Sequence, residues 1–142
     1  MNTKITSQQI NAVAQAAIAI KKNSYSPYSH FKVGAAVLIN DGKIYSGTNI
    51  ENASFGLTLC AERNAIFAAV SQGHRKIIAL ALCTDPVKGQ SFGTPCGACR
   101  QVMTEFMDPQ TPIILVAEKK KGAFEILKKP LKNFMPYAFT DF

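Results

Sequence analysis

The sequence predicts an α/β fold, with a mixed sheet and helices packed on both of its faces. Stretches whose apolar residues recur at helical period alternate with short runs rich in branched residues. The runs at residues 77–83 and 113–117 are continuously apolar, the pattern of strands covered on both faces. A chain of 142 residues is long enough for one core and too short for two, so we read residues 1–142 as a single domain.

The elements follow in order. Thr6 and Gln9 have the spacing of a capping box, and Ile10, Val13, Ala14, Ala17 and Ile20 then recur at helical period as far as Lys22. Pro27 and the serines of residues 25–30 mark a loop. Residues 33–39 and 44–50 read as strands joined at Asn40, Asp41 and Gly42, an antiparallel hairpin. A second helix is predicted over residues 59–72, with Gly73 placed to end it in a left-handed conformation. A strand at 77–83, a helix at 97–107 and a strand at 113–117 come next. A weaker strand at 123–127 and a short C-terminal helix around 131–135 close the chain.

Composition narrows the function classes. With 47% hydrophobic and 18% charged residues, the chain has the balance of a soluble globular protein. No apolar run approaches the roughly 18 residues that a membrane span needs. Gln8, Gln9, Asn11 and Gln15 break up the N-terminal apolar stretch, no cleavage pattern follows, and the expected compartment is the cytosol. The formal charge of +7 comes mostly from lysines, gathered at residues 119–121 and at Lys128, Lys129 and Lys132; these read as a solvated surface rather than a nucleic-acid patch. Four cysteines in a reducing compartment argue for metal binding or catalysis over disulfides.

Chemistry concentrates in two places. Cys60 precedes Glu62 by two residues at the start of one helix, and Pro95-Cys96-Gly97-Ala98-Cys99 opens another. Three thiolates suit zinc, and a fourth position without a protein ligand would hold water. A closed structural site would instead need Cys83, His30 or His74 as fourth ligand, and none of these lies in a paired ligand motif. Helix N-termini favour the thiolate form through their free N–H groups and dipole. Three thiolates overcompensate the metal charge, and Arg63 and Arg100, directly after the two motifs, are placed to donate to sulfur and temper it. Glu62 has the chemistry of a proton shuttle facing a metal-bound water, while a glutamate in a first helical turn also serves the dipole.

Cys-Ala-Glu-Arg at 60–63 and Pro-Cys-Gly-Ala-Cys-Arg-Gln at 95–101 resemble the zinc motifs of the homo-oligomeric cytidine deaminases. The resemblance extends over residues 25–31, 33–36, 49–52 and 136–139. It implies a three-layer α/β/α sandwich with a mixed five-stranded sheet, and one zinc per subunit on Cys60, Cys96 and Cys99. It also implies hydrolysis of cytidine and deoxycytidine to the uridine nucleosides and ammonia in pyrimidine salvage, with zinc-bound hydroxide attacking C4 and Glu62 moving the proton. Under the same resemblance Phe31 stacks on the base, Asn49 and Glu51 hold the 3′-hydroxyl, and Ala61 joins the substrate-binding set. The resemblance further implies that Phe139 reaches into a neighbour's site in a homotetramer with shared active sites. The chain departs from the family pattern at Phe55, where many members carry a tyrosine that contacts the 5′-hydroxyl, and at Tyr137, often glycine.

Two other readings stay open on the residues. One is a deaminase for a different cytosine compound, such as blasticidin S or a base in RNA. The other is a noncatalytic zinc module that binds RNA through its lysines, which would leave Glu62 unexplained.

Overall fold

The computed structural model describes residues 4–142. Helix α1 spans Ser7–Lys21, followed by strands β1 (Val33–Ile39) and β2 (Ile44–Thr48), helix α2 (Ala61–Ser71) and strand β3 (Ile77–Thr84). Helix α3 (Gly97–Phe106) and strands β4 (Pro112–Glu118) and β5 (Phe124–Pro130) complete the frame. The strands form one sheet in the order β2-β1-β3-β4-β5, parallel only between β3 and β4. This is the expected mixed five-stranded sheet.

Strand alternation sorts the core into two layers. Ala35, Val37, Ile39, Leu80, Leu82, Ile113 and Leu115 point to one face and pack with α2 and α3 residues such as Ala65, Ile66 and Met103. Ala36, Leu38, Ala79, Ala81, Cys83, Ile114 and Val116 point to the other and meet Val13, Ala14 and Ala17 of α1. Because β1, β3 and β4 are covered on both sides, their sequences are continuously apolar, and the α/β/α sandwich follows.

Local chemistry sets the element ends. Thr6 caps α1 through a reciprocal box, accepting from Gln9 N at 3.1 Å while its own N–H donates to Gln9 Oε1 at 3.0 Å. Gly73 follows α2 at φ +93°, the left-handed position.

Several boundaries differ from the sequence expectation. Strand β2 stops at Thr48 and α2 starts at Ala61, because Ile50 and Leu59 exchange two backbone hydrogen bonds of 3.0 and 3.1 Å in an isolated bridge. Strand β5 runs to Pro130, longer than residues 123–127, since at the sheet edge it is exposed along most of its length and accommodates the adjacent Lys128 and Lys129. The expected C-terminal helix is only a 3-10 turn, Leu131–Asn133, squeezed between Pro130 and Pro136. Tyr137 adopts φ +54°, the left-handed region that suits glycine.

Candidate active site

The bridge between Ile50 and Leu59 delivers Cys60 to the N-cap of α2 with extended backbone angles. The first turn of α2 then lies directly on β2. A Cβ at Gly47 would come within 2.7 Å of the Asn64 carbonyl carbon and 2.8 Å of Ala61 O, so only glycine permits the approach. Asn64 Nδ2 donates to Thr48 O at 2.8 Å and fixes the same turn. Cys96 is the N-cap of α3, and its sulfur accepts from Cys99 N at 3.5 Å. Two helix N-termini therefore converge, each beginning with a cysteine.

The sulfurs of Cys60, Cys96 and Cys99 lie within 4.8 Å of one another, and those of Cys60 and Cys96 are 3.7 Å apart. Zinc–sulfur bonds of about 2.3 Å in a tetrahedron put sulfurs about 3.8 Å apart, so this trio fits that metal. Among the described residues no histidine or carboxylate joins the group. His74 instead hydrogen-bonds Tyr45 Oη at 3.0 Å, and Cys83 lies in the core layer packed with α1. The candidate ligand set is three thiols, and among the described residues no fourth protein ligand joins it.

The sulfurs share protons as one cluster. A hydrogen bond from Cys99 chiefly, then Arg63 and Cys96, lowers Cys60 to about 5, and Cys99 is correspondingly raised as the group that keeps its proton. Loading a metal displaces that proton. Arg63 Nη2 donates to Cys60 Sγ at 3.4 Å, and its buried Nε has no hydrogen-bond partner. The cluster thus has donor capacity for further negative charge on sulfur. Arg100 is placed differently from expectation. Its Nε donates to Pro95 O at 2.7 Å and its Nη1 to Phe134 O at 2.9 Å, with the guanidinium over the Phe134 ring. It braces the chain before Cys96 and bonds no sulfur among the described residues.

Glu62 is 3% exposed, and burial pushes its carboxyl up to about 7. It lines a cavity of about 480 Å³ together with Cys60, Cys96, Ala61, Phe31, Asn49 and Glu51. Seven of the residues predicted for the site thus share one space, in the size range of small-molecule pockets. Their supports were not legible in the sequence. Asn49 Oδ1 accepts from Val33 N at 3.0 Å and from Ser24 Oγ, and its Nδ2 donates to Phe31 O at 2.8 Å, so little beyond one N–H remains for a ligand. Glu51 accepts from Tyr28 N and Ser29 N at 2.9 and 3.1 Å and from Ser29 Oγ at 2.5 Å, which lowers its pKa and holds it ionised.

Phe139 stands apart from this cavity. Its ring is 65% exposed and stacks on Phe142 with centroids 6.2 Å apart, while its carbonyl accepts from Gln101 Nε2. Phe55 meets Tyr28 edge to face at 5.6 Å. A larger cleft of about 700 Å³ at the opposite end of the sheet is lined by Lys4, Lys76, Lys128 and Lys129, with no thiol or histidine. It lacks a constellation for chemistry.

A buried carboxyl beside three converging sulfurs, on an α/β/α sandwich, has the make-up of a metal-dependent hydrolytic site. The comparisons make the class specific. The family profile described as the cytidine and deoxycytidylate deaminase zinc-binding region matches residues 7–115. The cytidine deaminase of Halalkalibacterium halodurans is 50% identical over 124 residues, covering 87% of this chain and 89% of that protein. The cytidine deaminase of Sporosarcina psychrophila is 45% identical over 120 residues, covering 84% and 83%. The crystal structure of a Burkholderia pseudomallei cytidine deaminase superposes with a TM-score of 0.83 at 39% identity, over 95% of this chain and all of that one. The chain belongs to this family of zinc-binding deaminases.

Proposed function

We propose that the chain hydrolyses the 4-amino group of cytidine and deoxycytidine to give the uridine nucleosides and ammonia, in pyrimidine salvage. The observation that carries this reading is the single cavity in which Glu62 and the sulfur cluster meet Phe31, Asn49 and Glu51. Cys60, Cys96 and Cys99 would hold zinc, which would supply Lewis-acid activation of water at neutral pH. Glu62, raised by burial, accepts a proton from the attacking water, delivers it to ring N3 and later carries one to the departing ammonia. Arg63 tempers the charge on Cys60. Phe31 offers its ring face to the base, the ionised Glu51 accepts from a sugar hydroxyl, and Asn49 donates its remaining N–H.

The same reading makes the enzyme a cytosolic homotetramer with shared sites. Among the described residues no helix is long and apolar enough to cross a membrane, and the four cysteines are free thiols. Tyr28, Ile50, Phe55 and Leu57 leave an exposed apolar surface on the segments flanking Glu51, suited to a second copy. Phe139, exposed on its own subunit, is available to a neighbour's cavity.

The test is ammonia release from cytidine, deoxycytidine, cytosine, cytidine monophosphate and blasticidin S. We expect turnover of the two nucleosides and poor use of the free base; activity on blasticidin S alone would refute the nucleoside assignment. Mixed oligomers of Glu62→Ala and Phe139→Ala subunits are expected to regain part of the lost activity, because some sites pair an intact Glu62 with a neighbour's Phe139. No recovery in verified mixed oligomers would reject the shared site.

A further inference from the structure

The segment that carries Phe31 is gripped from two sides, and only one grip comes from the cavity. On the cavity side, the Asn49 amide holds Phe31 O and Val33 N. On the far side, Asp85 takes both backbone groups of Lys32. Its Oδ2 accepts from Lys32 N at 2.8 Å, and its own N–H donates to Lys32 O at 2.9 Å. The ladder between β1 and β3 is already complete one residue earlier, at Val33 paired with Thr84. The Asp85 carboxylate therefore extends the sheet grip by one residue, to the position next to Phe31.

That carboxylate is itself locked. Asp85 Oδ1 accepts from Lys21 Nζ at 3.0 Å, and Lys21, 12% exposed at the end of α1, also reaches Glu118 Oε2 at 3.3 Å. His30, on the other side of Phe31, sits at φ +57°, in the left-handed region that non-glycine residues enter uncommonly. We propose that Asp85, held by Lys21, is a positioning residue for Phe31 and sets the affinity of the site for its base. This rests on the reading that Phe31 stacks on the substrate.

Removing the Asp85 side chain leaves Lys32 N to water and the β1–β3 ladder intact, so the ring's placement gives way before the fold does. The sulfurs and Glu62 make no hydrogen bond to Asp85, so the reacting end keeps its geometry. The experiment measures KM and kcat for cytidine with zinc-loaded Asp85→Ala, in the parent and in a Phe31→Ala background. We expect Asp85→Ala to raise KM about tenfold and to leave kcat within about twofold. In the Phe31→Ala background it changes KM by less than about twofold, because the ring it positions is gone. Asp85→Asn, whose amide oxygen still accepts from Lys32 N, recovers part of the affinity. It also serves as the test variant if Asp85→Ala does not fold, its KM rise again vanishing without Phe31. An equal KM change in both backgrounds, a loss confined to kcat, or an unchanged KM overturns the positioning role. If Phe31→Ala binds cytidine normally, the stacking reading falls and this inference falls with it. If Phe31→Ala raises KM while both Asp85 variants are silent, stacking stands and only the positioning role is rejected.

Discussion

Cys60 and Cys83 stand on opposite faces of the sheet and have opposite acidity. On the α1 face Cys83 is a side chain of β3 with no exposure, and burial pushes its thiol up to about 12. On the α2 and α3 face Cys60 begins a helix, receives hydrogen bonds from Cys99, Arg63 and Cys96, and is lowered to about 5. The difference comes from what surrounds each sulfur. A strand side chain in the core meets only what packs on it, whereas Cys60 at its helix start meets two further thiols and the following arginine. Those neighbours, rather than the helix end itself, make the thiol acidic.

The sharpest way to break that contrast is to remove one cysteine from each face. Cys96→Ala is expected to lose zinc and deaminase activity together, because a ligand at a helix N-cap is gone. Cys83→Ala is expected to keep both, at a stability cost of about 1 kcal/mol for the small cavity it leaves. Metal analysis beside an ammonia assay reads both outcomes. Full activity in Cys96→Ala, or zinc loss in Cys83→Ala, would erase the distinction.

Glu62 sharpens the comparison within the reactive face. It stands two residues after Cys60, and under the proposed function its chemistry is separable from holding the metal. Glu62→Ala is expected to retain zinc and lose at least about a hundredfold in kcat, the low end for a positioned proton-transfer group. Zinc loss in that variant would make Glu62 a structural residue.

The sequence carried more of the reactive face than of its supports. The thiol trio and Glu62 were legible because short motifs place them beside helix starts. The sandwich was legible because three strands covered on both sides read as uninterrupted apolar runs. The grips around Phe31 were not legible. Asn49 and Asp85 act on segments 16 to 53 residues away, through an amide and a carboxylate that look like loop polarity in one dimension. Arg100 shows the reverse error. Adjacency to a ligand suggested sulfur as its partner, but its side chain turns toward the Pro95 and Phe134 carbonyls. The C-terminal helix failed because a periodic pattern between two prolines is too short to form more than one turn.

The smallest predicted effect isolates the quiet face by pH. Cys83 is raised from an ordinary 9.0 to about 12 by burial first and by Glu118 beside it, with Lys21 pulling the other way. A folded pKa above the unfolded one means that the unfolded chain loses this proton first as pH rises. Below about pH 9 both states hold it and Cys83 adds no pH dependence. Between about 9 and 12 only the unfolded state is ionised, so stability falls with rising pH. One unit above the ordinary value corresponds to about 1.4 kcal/mol. Lysines and tyrosines also titrate there, so the useful quantity is a difference between two proteins. Urea melts of zinc-loaded parent and Cys83→Ala at pH 8 and pH 10 should show the parent losing about 1 kcal/mol more than the variant over that interval. The fixed cost of the cavity cancels, because it is present at both pH values. Parallel losses would mean that Cys83 ionises as easily in the fold as outside it, and the chemical contrast between the two faces would then reduce to the metal alone.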